Sequence, residues 1–182
     1  MRTTYYAITF SDTDYRACDN PTEILYLRRT IYYLRHLVTE KTVIMSRGLW
    51  DALPQEYKCV SATHYIVVSK DPSCIRKGAT VCKSIEEAMS HVRSRYAVFL
   101  GGPNFMKEAV GHSSVWFEVV GTYPYATSQQ QLLIDRHDWN SHLLFKEMER
   151  LSVYSLFIHN RKTDFAEKHK RQKNKELCDV HD

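Results

Sequence analysis

Val43-Ile44-Met45-Ser46-Arg47-Gly48-Leu49-Trp50 is a β-branched, apolar run that stops on a small hydroxyl and an arginine before apolar residues resume. A short run of this kind reads as a strand buried on both faces, as in a parallel sheet. Gly48 to Leu53 reads as a short helix that ends before Pro54, so Arg47 stands where a strand passes into a helix. Val98-Phe99-Leu100-Gly101-Gly102-Pro103-Asn104-Phe105 repeats the design: a strand over Tyr96 to Leu100 runs into two glycines, and Asn104 to Val110 returns as a helix. Between the two lies Tyr65-Ile66-Val67-Val68-Ser69, a third strand that ends on a hydroxyl followed by Lys70.

Working outward, Tyr5 to Phe10 is rich in β-formers and predicts a first strand, followed by a polar, turn-like stretch from Ser11 to Asn20. Asn20 can cap a helix, Pro21 suits its first position and Glu23 stands where a capping box places an acid. Ile24, Leu27, Ile31, Leu34 and Val38 then recur at steps of three and four, which puts one apolar stripe on a helix facing the sheet. A short strand is predicted at Thr80 to Cys82, and Ser84-Ile85-Glu86-Glu87 opens a further helix with Ile85, Met89 and Val92 on one side. Ser114 to Gly121 and Val153 to His159 read as late strands joined by a long polar passage through Gln129 to Asn140. Strands that alternate with helices early and pair with each other late predict an α/β fold. Its sheet should be twisted and mostly parallel, with an antiparallel C-terminal edge and helices on both faces.

Ligands of such sheets bind at the carboxyl ends of strands, where backbone amides and helix N-termini converge. Arg47 can meet a phosphate bidentately there. The pair Gly101-Gly102 lets backbone approach a ligand with no Cβ in the way and permits unusual peptide geometry.

Together these stretches resemble the cofactor-contacting strand ends of dihydrofolate reductases, in which the first reads roughly V-I-M-G-R-x-T-W and the second I-G-G-x-x-x-Y. The resemblance runs over residues 5 to 160 and implies a dihydrofolate-reductase-like domain across residues 1–160, with NADPH as cofactor. It implies that Arg47, Gly101 and Gly102 lie against the phosphates and nicotinamide, and that Ser69 and Lys70 hold the 2′-phosphate, with Lys83 a lesser candidate for that anion. Two positions depart from the pattern. The threonine after the arginine is Leu49, and the tyrosine after the glycines is Met106, or Phe105 if the register slips by one.

The family holds its pterin with an acidic residue near the start of the first helix, and two alignments compete for it. Pro21-Thr22-Glu23-Ile24-Leu25-Tyr26-Leu27-Arg28 resembles the family's P-x-[DE]-L-x-x-F-[KR] and makes Glu23 the carboxylate. Counting back from Val43 without gaps instead puts Thr30 there, with Ile31 and Leu34 as the apolar walls of the substrate pocket. The ambiguity arises because the helix repeats itself, Ile24-Leu25-Tyr26-Leu27-Arg28 against Ile31-Tyr32-Tyr33-Leu34-Arg35. No W-x-L-P lid sequence is present, the arginine that grips the folate tail falls near Thr63, and the pterin-supporting threonine falls near Gly121.

The resemblance therefore implies an NADPH-dependent oxidoreductase acting on dihydrofolate or a related pterin or pyrimidine. A deaminated pyrimidine of the riboflavin pathway, which needs no pterin carboxylate, belongs to the same set. The alternative is a non-catalytic relative acting through a protein or nucleic-acid partner. The segment 161–182 is the element on which that alternative draws: it holds seven Lys or Arg against five Asp or Glu, and Lys168 to Lys175 carries no apolar residue. It lacks the aromatic interleaving that base stacking requires.

With 182 residues, 43% of them hydrophobic, the chain can bury a full core as one domain. Its apolar runs are far shorter than the ~20 residues that span a bilayer. The N-terminus lacks the apolar core and cleavage site of a secretion signal, which predicts a cytoplasmic protein. Five cysteines without a C-x-x-C pair, and nine scattered histidines, point to neither a disulfide framework nor a zinc site. The formal charge of +4 is mild.

Overall fold

The computed structural model describes residues 3–14, 16, 35–54, 62, 64–71, 73, 78–121, 134–149 and 152–162. Eight strands form one sheet: β1 Thr4–Ser11, β2 Thr42–Ser46, β3 His64–Val68, β4 Thr80–Cys82, β5 Tyr96–Leu100, β6 Val115–Gly121, β7 Trp139–Glu149 and β8 Ser152–Arg161. Their spatial order is β4-β3-β2-β5-β1-β6-β8-β7. The six strands from β4 to β6 are parallel, whereas β8 runs antiparallel to β6 and β7 antiparallel to β8. The mostly parallel sheet with an antiparallel edge is thus the one the sequence predicts.

Both faces of the parallel strands are buried, which is why these strands read as continuous apolar runs. Ala7, Ile44, Ile66 and Phe99 pack on one face with Ile85, Ala88, Met106, Ala109 and Val110. Those five belong to helices α2, Ile85–Ser90, and α3, Pro103–His112. On the other face Val43, Met45 and Val67 pack with Leu49 and Trp50 of helix α1, Arg47–Ala52. Ile8, Phe10, Val98, Phe117 and Val119 continue that face, covered in part by Leu37 and Val38. Each fully buried side chain of this size contributes about 1.5–3 kcal/mol, so the two cores together fix the strand register.

β7 departs from the sequence expectation, which places a polar passage as far as Asn140 and no strand between there and Val153. It forms the exposed edge of the sheet. Its alternation is broken where the register shifts between Leu143 and Phe145, and Leu143, Leu144 and Met148 stand open to solvent. An edge strand with a bulge lacks the period-two signature on which sequence reading depends. Beneath it the Arg161 guanidinium donates to the carbonyls of Val110 and Gly111, satisfying the last turn of α3 with a cation. No helix among the described residues is long and apolar enough to cross a membrane.

Candidate functional site

The order of the strands creates one crevice. β2 and β5 are hydrogen-bonded neighbours, with Met45 opposite Leu100, yet the helices that follow them leave toward opposite faces. Their carboxyl ends must therefore diverge, and a parallel sheet binds its ligands at such a switch point. Arg47 and Gly101-Gly102 form the two lips, and Ser69-Lys70 ends the next strand on the Arg47 side.

Ser46 spans the crevice. Its hydroxyl accepts a hydrogen bond of 3.4 Å from Leu49 N, capping α1, and another of 3.4 Å from Gly102 N. A Cβ on Gly101 would collide with the Phe105 ring and lie 2.9 Å from the Ser46 hydroxyl. Glycine is demanded here by space, since neither Gly101 nor Gly102 has a positive φ and no cis peptide occurs among the described residues. The unusual peptide geometry that the glycine pair would permit is not used. Phe105, one of the two candidates for the missing tyrosine, covers Gly101 and meets Phe99 edge-on, while Met106 is buried. Neither offers a hydroxyl. At the N-terminus of α3, Gly102 provides no side-chain cap, and Pro103 in the first helical position has no amide N–H to satisfy.

Arg47 is engaged. Its guanidinium lies 3.0 Å from the Asp71 carboxylate and 4.0 Å from that of Asp51, one helical turn on. Asp71, to which the sequence alone assigns no role, also accepts from the Ser73 hydroxyl and amide and donates its own amide to the buried Ser69 hydroxyl. These Ser73 hydrogen bonds, ahead of the Arg47 charge, hold the Asp71 carboxyl below the usual carboxylate range. Ser69 N also donates to Cys82 O, which continues the ladder beyond β3, and Lys70 is exposed beside it. Past β4, the Ser84 hydroxyl caps Glu87 N as the sequence predicts, while the Glu87 carboxylate reaches back at 2.6 Å to Lys83 N, one residue before the cap.

Glu23, Thr30, Ile31 and Leu34, the residues expected to meet substrate, lie outside the described residues. A second charged group was not foreseen because Glu118 sits inside an otherwise apolar strand. Glu118 is 3% exposed, and its carboxylate meets Arg136 at 2.5 Å and His159 Nε2 at 3.1 Å. His159 in turn pairs through Nδ1 with the Ser141 hydroxyl at 2.7 Å and stacks on Trp116. The Trp116 indole donates to Thr9 at 2.7 Å. Glu118 shares the face of Trp116, under α3, and is turned away from the face that carries α1.

No protein-family model matches the sequence, and no curated protein sequence matches it either. Solved structures do. A dihydrofolate reductase from Enterococcus faecalis complexed with NADP(H) and RAB-propyl superposes with a TM-score of 0.72 at 16% identity, over 87% of this chain and 96% of its own. The Schistosoma mansoni dihydrofolate reductase gives a TM-score of 0.72 at 14% identity, over 88% of this chain and all of its own. The chain has the dihydrofolate reductase fold, as the strand-end motifs implied, and at this identity the fold is what is shared.

Proposed function

We propose that the chain is an NADPH-dependent reductase acting on dihydrofolate or a related pterin or pyrimidine. One observation carries the reading: Arg47, Ser69-Lys70 and the Gly101-Gly102 pair end three adjacent strands at one switch-point crevice of a dihydrofolate reductase fold. The crevice suits the cofactor. The N-terminus of α3, which lacks a side-chain cap, favours an anion such as a pyrophosphate through its helix dipole, and bare backbone at Gly102, with nothing within 4 Å of a Cβ built there, leaves room beside it. Lys70 and the Ser69 hydroxyl would hold the 2′-phosphate, and Arg47 would turn from Asp71 toward phosphate, an exchange of one charge-assisted hydrogen bond for another.

Bound there, NADPH supplies a hydride. The chain's own task is to orient the acceptor and deliver a proton. Glu23 is the carboxylate proposed for that role, with Ile31 and Leu34 as pocket walls; Thr30 is its rival and could orient but not protonate. The domain spanning 1–160 would carry the activity.

Fluorescence titration with NADPH tests the reading. Saturable binding, followed by loss of NADPH absorbance with dihydrofolate and its abolition in Glu23→Gln, is the expected result; absence of binding at millimolar NADPH removes the enzyme reading. A second reading draws on the Arg47–Asp71 pair, which keeps the phosphate-facing cation occupied. In it the fold is retained without catalysis, and the basic segment 161–182 contacts a protein or nucleic acid.

A further inference from the structure

Cys82, Glu87 and His91 converge at the junction of β4 and α2, their donor atoms all within 4.8 Å of one another. We infer that they form a binding site for a zinc-class divalent cation, with a thiolate, a carboxylate and an imidazole as protein ligands and water in the fourth position. The inference is independent of the reductase reading, and it departs from the expectation, based on the lack of a C-x-x-C pair, that the chain has no such site.

The ligand chemistry selects the ion. Thiolate with imidazole favours zinc, cobalt or cadmium over the hard cations magnesium and calcium, which take oxygen ligands. Three protein ligands and an open position are the pattern of zinc sites that keep a water. The spacing follows from local structure. Cys82 is the last residue of β4, Glu87 lies in the first turns of α2 and His91 is the C-cap one turn further on, so the helix stacks the last two over the strand end.

Two features prepare the site. Glu87 is already oriented, because Lys83 N–H donates to Oε2 and leaves Oε1 for a metal; such outer hydrogen bonds fix ligand geometry. Cys82 is 1% exposed and anchored in the core, while Glu87 and His91 are exposed, so the rigid ligand is the thiol and the mobile ones close on it. Zinc bonds of about 2.0–2.3 Å place tetrahedral donors roughly 3.3–3.8 Å apart, inside the 4.8 Å that encloses the present donors, and the exposed Glu87 and His91 are the ligands that adjust. On binding, the Cys82 thiol releases its proton to solvent as the sulfur–metal bond forms.

The test uses the full chain, reduced and stripped of metal, titrated with Co2+ alone and then with Zn2+ in competition. The expected result is one equivalent of Co2+ with thiolate-to-cobalt charge-transfer absorption and tetrahedral d–d bands, displaced by Zn2+. Affinity should fall by at least about a hundredfold in both Cys82→Ser and His91→Ala, beyond the roughly 10–100-fold that loss of an outer partner alone costs. His91→Ala changes an exposed residue and keeps the test valid if Cys82→Ser fails to fold. His112→Ala, in the carboxylate-rich Glu86–Glu108–His112 group, should leave the spectrum unchanged. Absence of the thiolate band in the unaltered chain, or its survival at full affinity in His91→Ala, overturns the inference.

Discussion

The hydroxyl of Ser46 lies 2.9 Å from the place a Cβ on Gly101 would occupy, and the same oxygen accepts from Gly102 N across the crevice. The two adjacent glycines are therefore unlike. Gly101→Ala forces the Phe105 ring and Ser46 apart and should cost about 1–3 kcal/mol, the usual range for overpacking. Gly102→Ala meets nothing within 4 Å at an ordinary φ of −72° and should stay within about 0.5 kcal/mol of the parent. Urea unfolding of the two variants reads the difference; equal stability would mean that Phe105 yields without cost.

Asp71 gives a pH prediction with a definite sign. Its folded carboxyl titrates below its unfolded value, so what it contributes to stability is present above the unfolded pKa and is lost as pH falls through the folded one. Ser73 supplies the largest share of the depression, so Ser73→Ala should raise the Asp71 midpoint further than Arg47→Ala does. A carbon-detected NMR titration of the side-chain carboxyl would show it. The reverse order would make the Arg47 charge the principal cause.

The same pair bears on the proposed cofactor. Asp71→Asn removes the anion 3.0 Å from the Arg47 guanidinium. The pair is exposed and screened by solvent, so releasing Arg47 should tighten NADPH binding by only a few-fold. Weaker binding in Asp71→Asn would mean that Asp71 helps hold the ligand and does not compete with it.

These strand ends are legible in the sequence because buried parallel strands announce themselves. Val43 to Met45, Tyr65 to Val68 and Tyr96 to Leu100 are short apolar blocks bounded by polar residues, and each is a strand within a residue or so of its reading. Thr80–Cys82 and the Ser84–Glu87 box were found for the same local reasons. What escaped depends on partners distant in sequence. Asp71 sits 24 residues from Arg47, and nothing in the sequence around it signals an ion pair with that arginine. The edge strand β7 escaped because one of its faces is solvent and a bulge breaks its alternation.

Thr9 and Trp116, in adjacent strands, make a buried hydrogen bond of 2.7 Å from indole to hydroxyl. Thr9→Val keeps the shape and removes the acceptor, leaving the indole N–H unsatisfied at about 1–3 kcal/mol. Thr9→Ser keeps the acceptor and should cost less. Unfolding midpoints decide, and an unchanged midpoint in Thr9→Val would show that the N–H finds another acceptor.

Glu118 poses the sharper asymmetry. It is 3% exposed, whereas the Arg136 side chain that meets it is 33% exposed, so removing one partner is not equivalent to removing the other. Among the described residues, Arg136→Met leaves a buried carboxylate with only His159 beside it, and breaking a buried pair in this way costs about 3 kcal/mol or more. Glu118→Gln leaves an acceptor for the His159 ring and an arginine able to reach water, so its cost should be nearer the ~1–2 kcal/mol of a weakened hydrogen bond. Combining them removes the stranded charge, and the double variant should be more stable than Arg136→Met alone, a coupling that a double-mutant cycle in urea measures directly. Strict additivity would mean that Glu118 in the Arg136→Met variant is solvated by rearrangement and is no longer buried.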